Sequence, residues 1–154
     1  MTKEMYFEDL HLGDVAVEFV SEPITRTAMV RYAGASGDFN PLHHDETFVA
    51  LFGMPRVIAQ GMMVMGITSR AITDVIPQKY LRSFQVRFTG VTEPVDLNNF
   101  EETKNRATLK VKATVNEKSV INGENIVVCE VETTDMNGTV KLSGGIRLAL
   151  PNKG

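Results

Sequence analysis

The apolar residues of this chain change their period near the middle. After Pro77 they recur at every second position, the period of a strand. In SFQVRFT, Phe84, Val86 and Phe88 fall on one side, and Ser83, Gln85, Arg87 and Thr89 on the other. ATLKVKATV alternates Ala107, Leu109, Val111, Ala113 and Val115 with polar partners. NIVVCEVET and TVKLSGGIRLAL follow, separated by Asn137-Gly138, a dipeptide suited to a tight hairpin. This alternation predicts an antiparallel sheet with one wet face and one dry face.

The first half reads differently. VAVEFV, from Val15 to Val20, is a short strand after the Gly13-Asp14 turn. Thr25 or Thr27 can cap a helix carrying Ala28, Met29, Tyr32 and Ala33 at helical spacing, with Gly34 and Gly37 as stops. Pro41 forces Asn40 out of the helical region, so Ser36 to Glu46 is predicted to be a loop. Asp45 caps a short helix through Phe52, ended by Gly53 and Pro55.

From Val57 to Ile67 only Gln60 is polar. A helix that is apolar all round is expected to be buried all round. Gly61 and Gly66 sit inside it, each at a cost of about 1 kcal/mol relative to alanine. Either something approaches the backbone closely or the helix begins near Gly61. A helix from about Ile58 to Thr73 is the natural cover for the dry face of the sheet. The result is an α+β domain in which a long antiparallel sheet wraps a helix.

A length of 154 residues suits a single domain over residues 1–154. With 43% hydrophobic and 23% charged residues, a core of ordinary size is expected. The net charge of −3 and the scattered basic residues argue against a nucleic-acid or anionic-membrane surface. MTKEMYFEDL lacks the apolar core and small-residue cleavage site of a signal peptide, and no stretch approaches the roughly 18 apolar residues of a membrane span. The expected setting is therefore reducing and cytoplasmic. Cys129, the one cysteine, excludes an intramolecular disulfide, and its apolar surroundings favour burial over a nucleophilic role.

Two of the three histidines stand side by side in SGDFNPLHHDE. Adjacent imidazoles in an extended loop diverge, and His11 is remote, so a metal site is not expected. Turn formation at Asp38 and at Asn40-Pro41 accounts for Asn40, Pro41 and an exposed His44. Asp38 and His43 together suggest acid/base chemistry, because the turn can bring carboxylate and imidazole to one point. Two such groups around one water can add it to a double bond, or remove it. If the double bond is conjugated to a carbonyl, an oxyanion stabiliser is needed. The N–H of Gly61 at a helix start is the candidate, although close helix–sheet packing explains that glycine equally and Gly66 better.

YAGASGDFNPLHHDE from Tyr32, GMPRVIAQGMMVMG after a short spacer, and the later SFQVRFTGVTEP resemble the MaoC-like hydratase family. That family includes (R)-specific enoyl-CoA hydratases and (3R)-hydroxyacyl-thioester dehydratases. The resemblance implies a hot-dog fold, an antiparallel sheet around a long central helix, paired as a homodimer or with a related subunit. It implies no cofactor and an acyl-CoA or acyl-carrier thioester as substrate. Asp38 and His43 match the catalytic pair, Gly61 the amide that holds the thioester carbonyl, and Ser36 and Asn40 positions of loop support. Met62, Met63 and Met65 are candidates for an acyl pocket or plain core filler. Arg87 is a candidate for a CoA phosphate or a solvent-facing strand residue.

Two departures stand out. Gln60 replaces the histidine that the family commonly places before the glycine, and is expected to orient substrate or to hold structure. TEPVDLNNFEE lacks the glycine of the family's Pro-Val-x-x-Gly-Asp stretch. Three rivals to a catalytic hydratase remain at this stage: a subunit of a heteromeric dehydratase, an acyl-CoA thioesterase on the same fold, and an acyl-CoA-binding module.

Overall fold

The computed structural model describes residues 4–154. Met1, Thr2 and Lys3, part of the N-terminal stretch read above, lie outside the described residues. The elements run β1 (Val15–Val20), α1 (Arg26–Ser36), α2 (Glu46–Ala50), α3 (Gly61–Thr73), β2 (Leu81–Phe88), α4 (Phe100–Ala107), β3 (Leu109–Ile121), β4 (Glu124–Asp135) and β5 (Val140–Leu150). The strands form one sheet in the order β1-β3-β4-β5-β2, and every neighbouring pair is antiparallel. α3 covers one face, as the period-two pattern requires. No helix among the described residues is long and apolar enough to cross a membrane.

The alternation read from sequence becomes the two faces of this sheet. Leu109, Val111, Ala113 and Val115 of β3 are buried, as are Val127, Cys129 and Val131 of β4 and Leu142, Ile146 and Leu148 of β5. Lys112, Glu130 and Glu132 between them are exposed. Register shifts on β1, β2, β3 and between β4 and β5 increase the twist that lets the sheet curl round α3. At Gly144 the β2 backbone lies so close that a Cβ would collide with the Gln85 carbonyl and the Val86 Cα, so the β2–β5 contact requires glycine there.

α3 turns Val64, Thr68, Ala71 and Ile72 toward the sheet. The Thr68 hydroxyl donates to the Val64 carbonyl at 3.0 Å, which leaves the Thr133 hydroxyl as donor across a 2.8 Å contact to Thr68. That pair satisfies the polar atoms buried between helix and β4. The expectation of burial all round does not hold for the chain. Met62, Gly66 and Arg70, spaced four residues apart, form an open stripe. A Cβ at Gly66 would meet nothing within 4 Å, so close helix–sheet packing is not the reason for this glycine.

Several boundaries also differ from expectation. α3 begins at Gly61, and Val57 to Gln60 belongs to no helix or strand. α1 continues through Gly34 and ends at Gly37, whose φ of 74° makes the left-handed cap and whose N–H donates to the Ala33 carbonyl. α2 ends at Ala50. β3 starts at Leu109, because Ala107 closes α4, a helix that the strand pattern of ATLKVKATV concealed. β3 and β4 run on to a second hairpin at Asn122-Gly123, both with positive φ.

The core divides into two clusters. One lies beneath the sheet and takes in Ala71, Ile72 and Ile76 with the inward residues of β3, β4 and β5. The other joins Met29, Val49, Val57, Ala59 and Val64 to Leu109 and Leu142, and it underlies the histidine loop. Cys129 belongs to the first. Burial pushes its thiol up to about 11, which suits a packing residue and not a nucleophile.

Because Gly66 is helical, exposed and unobstructed, Gly66→Ala is expected to stabilise the fold by about 1 kcal/mol. Urea denaturation checks this. A destabilised variant would show that the stripe is closely covered in solution.

Candidate active site

α1 delivers the chain to the site through a series of local bonds. The Ser36 hydroxyl donates to the Tyr32 carbonyl at 2.7 Å and accepts from the Asp38 N–H at 3.2 Å. Asp38 Oδ1 accepts the Asn40 N–H at 3.3 Å, and Asn40 Oδ1 accepts the Leu42 N–H at 3.0 Å. Pro41 then opens a short 3-10 turn that carries His43. Each polar side chain thus caps the backbone two residues on, as short polar residues do in turns. Asp45 caps α2 through the N–H groups of Thr47 and Phe48.

His43 leaves this turn inward and His44 outward. His43 Nδ1 lies 2.7 Å from the Ile58 carbonyl, whereas His44, exposed, has its Nε2 3.1 Å from the Phe39 carbonyl. A carbonyl can only accept, so His43 Nδ1 carries the hydrogen. In the neutral ring, Nε2 is then an unprotonated acceptor. It faces Asp38 Oδ2 at 3.6 Å, with the imidazole side chain 11% exposed and the carboxylate 40%. That gap exceeds a direct hydrogen bond, so neither group is consumed by the other. The structure therefore brings Asp38 and His43 together.

The acceptor for His43 belongs to the segment ahead of α3. Val57 N–H donates to Glu46 Oε2 at 3.0 Å, Ile58 N–H to the Leu42 carbonyl at 3.1 Å, and Ala59 N–H to the Thr92 carbonyl at 2.7 Å. Glu46 also pairs with Arg26 of α1. Sequence reading missed Glu46 and Thr92, whose partners are remote in the chain and carry no local signature.

The segment ends at Gly61, the first residue of α3, whose N–H has no acceptor within the helix. Gly61 lies three residues after Ile58, hence within about 11 Å of the His43 anchor along the chain. Gly61 is exposed, and a Cβ there would lie in van der Waals contact with the Phe88 ring at 3.4 Å. Gln60, expected to orient substrate or hold structure, is fully buried, and its Nε2 donates to the Met29 carbonyl of α1 at 3.3 Å. Its Oε1 is buried without a hydrogen-bond partner.

The remaining candidates scatter. Met62 stands on the open stripe of α3, 56% exposed. Met63 and Met65 are half-buried against the second core cluster. Met63 also lines a cleft of about 340 Å³ with Phe19, Ile24, Ala28 and Ile67. Val86 packs inward, so the exposed Arg87 beside it points to the opposite face of the sheet and is not brought to the Asp38–His43 pair. The stretch TEPVDLNNFEE holds a 3-10 turn and the start of α4. Among the described residues no group of three or more histidine, cysteine, aspartate or glutamate side chains is placed to hold a metal ion.

Residues 12–136 match the family described as MaoC like domain. The (R)-specific enoyl-CoA hydratase of Aeromonas caviae is 34% identical over 117 residues, covering 70% of this chain and 86% of that protein. The enoyl-CoA hydratase ChsH3 of Mycobacterium tuberculosis is 39% identical over 61 residues, which cover 38% of this chain and 21% of ChsH3. This chain spans less than half the length of several such relatives. Among solved structures, the unliganded R-hydratase PhaJ1 from Pseudomonas aeruginosa superposes with a TM-score of 0.77 at 25% identity, covering 99% of this chain and 89% of that one. The sheet wrapped on α3 is thus the hot-dog fold.

Proposed function

The chain belongs to the MaoC-like domain family, and from the geometry of its histidine loop we propose that it catalyses reversible hydration of a trans-2-enoyl thioester, an acyl-CoA, to the (3R)-3-hydroxyacyl thioester. The observation that carries this reading is the 3.6 Å approach of His43 Nε2 to Asp38 Oδ2, with His43 Nδ1 donating to the Ile58 carbonyl. The relatives named as enoyl-CoA hydratases and as a 3-hydroxybutyryl-CoA dehydratase support it.

The proposed chemistry follows from the acceptors available. A water between Nε2 and Oδ2 donates one hydrogen to each. His43 takes a proton as the water oxygen attacks C3 of the enoyl group, and Asp38 holds the oxygen on line. Electron density moves to the thioester oxygen, where the Gly61 N–H and the positive end of α3 receive it. The proton held by His43 then passes to C2 from the same face. The water's oxygen and one hydrogen end on C3, its other hydrogen on C2, and no cofactor enters the balance. Dehydration runs the same steps backwards. The cleft beside Met63 and Ile67, which lie within two turns of Gly61 along α3, has the size to take an acyl chain.

The reading extends to a homodimer, joined through β2. That strand is an edge of the sheet, and an unpaired edge is an association surface. Phe88 beside Gly61 is 46% exposed, so pairing there would cover apolar surface next to the site. Sedimentation is expected to show a dimer; a stable, active monomer would contradict this.

Assay with a panel of trans-2-enoyl-CoAs tests the activity, with thiol release from saturated acyl-CoA distinguishing a thioesterase. Asp38→Asn and His43→Ala are each expected to lower turnover by on the order of 10²–10⁴-fold; Asp38→Asn should keep the thermal midpoint near wild type, and His43→Ala, which also loses the bond to the Ile58 carbonyl, should stay folded with a modestly lower midpoint. His44→Ala should cost far less, because its ring bonds Phe39 and points away from the pair. Near-full turnover in both of the first two variants would sink the assignment.

A further inference from the structure

The segment Val57 to Gln60 is held on one side by the histidine loop and α2, through Leu42, His43 and Glu46. On the other side its backbone has one hydrogen bond, from Ala59 N–H to the Thr92 carbonyl. At the end of that bridge stands a charged cluster outside the Asp38–His43 site. Glu93 follows Thr92, and Arg56 precedes Val57. Arg56 Nε and Arg106 Nε each lie 3.2 Å from the same Glu93 Oε2. All three side chains are about three-quarters buried, with exposures of 25%, 28% and 22% for Arg56, Arg106 and Glu93. The buried Nε of both arginines and Nη2 of Arg106 have no well-aligned hydrogen-bond acceptor. Two largely buried cations therefore share one carboxylate.

Arg106 connects the cluster to α4, and α4 is anchored on both sides. The Asn105 carbonyl accepts the Met136 N–H of the β4–β5 hairpin, and the Ala107 carbonyl accepts the Ile24 N–H ahead of α1. We propose that Glu93 is a positioning residue: by holding Arg56 and Arg106 on one oxygen it fixes the segment that carries the Ile58 carbonyl and the Gly61 amide against α4. The pair His43–Ile58 and the start of α3 then keep one spacing. Part of the test rests on the hydration reading, and part does not.

The test uses Glu93→Gln and Arg56→Lys in the full chain, with two readouts. The first is kcat and KM for an enoyl-CoA, normalised to folded protein. The second is the NMR signal of the His43 Nδ1 proton, identified by its absence in His43→Ala. Misplacement of about 1 Å in a site can cost up to about 100-fold, so Glu93→Gln is expected to lower kcat about tenfold with little change in KM. The Nδ1 proton is expected to shift and to exchange faster with solvent. Arg56→Lys keeps the charge but loses the planar fork, and should give the same signs to a smaller degree. It also carries the test if Glu93→Gln does not fold. A lower thermal midpoint with unchanged kcat, KM and Nδ1 signal would reduce Glu93 to a stabilising residue and overturn the proposal. If the wild-type protein hydrates no enoyl-CoA, the Nδ1 signal still decides the role of Glu93, and only the hydratase reading falls.

Discussion

The hydrogen bond from His43 Nδ1 to the Ile58 carbonyl is the constraint on which the rest of the site depends. It fixes the tautomer, so that Nε2 is free to accept. It also ties the histidine loop to the chain that starts α3. Val57 to Gln60 belongs to no helix or strand, so its buried backbone groups need partners elsewhere. Glu46, Leu42, His43 and Thr92 supply them from α2, the loop and the stretch after β2. Each such bond is worth about 1 kcal/mol net, against about 1–2 kcal/mol of backbone entropy for each residue ordered. Burial of Val57 and Ala59 in the second core cluster offsets what the bonds leave. The segment is therefore rigid only because sheet, loop and helices all converge on it.

The sheet makes that convergence possible. Its curl seats α3 across the dry face, with Thr68 and Thr133 as the polar contact between them. Gly144 lets β2 close over β5, and that brings Phe88 against Gly61. The start of α3 is thus placed by the far edge of the sheet as well as by the loop before it. Fold and site are not separable here: a change in the β2–β5 approach moves a wall of the site.

Much of this was legible in the chain because local rules were obeyed. Period-two alternation marks β3, β4 and β5, since one face of each is dry. Gly37 ends α1 where the loop begins, Pro41 opens the turn that carries His43, and Thr25 and Asp45 cap as their chemistry dictates. The pairing of Asp38 with His43 follows from turns whose residues cap their own backbone. What was hidden depends on distant partners. α4 is short and polar, with Thr103 and Ala107 its buried residues, so it shows no broad apolar stripe. Its last residue also continues the alternation of β3 by coincidence. Burial of Gln60 follows from Met29, thirty-one positions away, and the arginine pair on Glu93 from three separate segments. Asn122-Gly123 was a readable turn signal that would have lengthened β3 and β4.

The central claim is that one water, held between His43 Nε2 and Asp38 Oδ2, supplies both the hydroxyl and the hydrogen to one face of the substrate. Hydration of a trans-2-enoyl-CoA in deuterium oxide tests this most directly, with the relative configuration at C2 and C3 of the product read by NMR. The account predicts deuterium at C2 on the same face as the hydroxyl at C3, in a single stereoisomer. Deuterium on the opposite face, or a mixture of both, would contradict it.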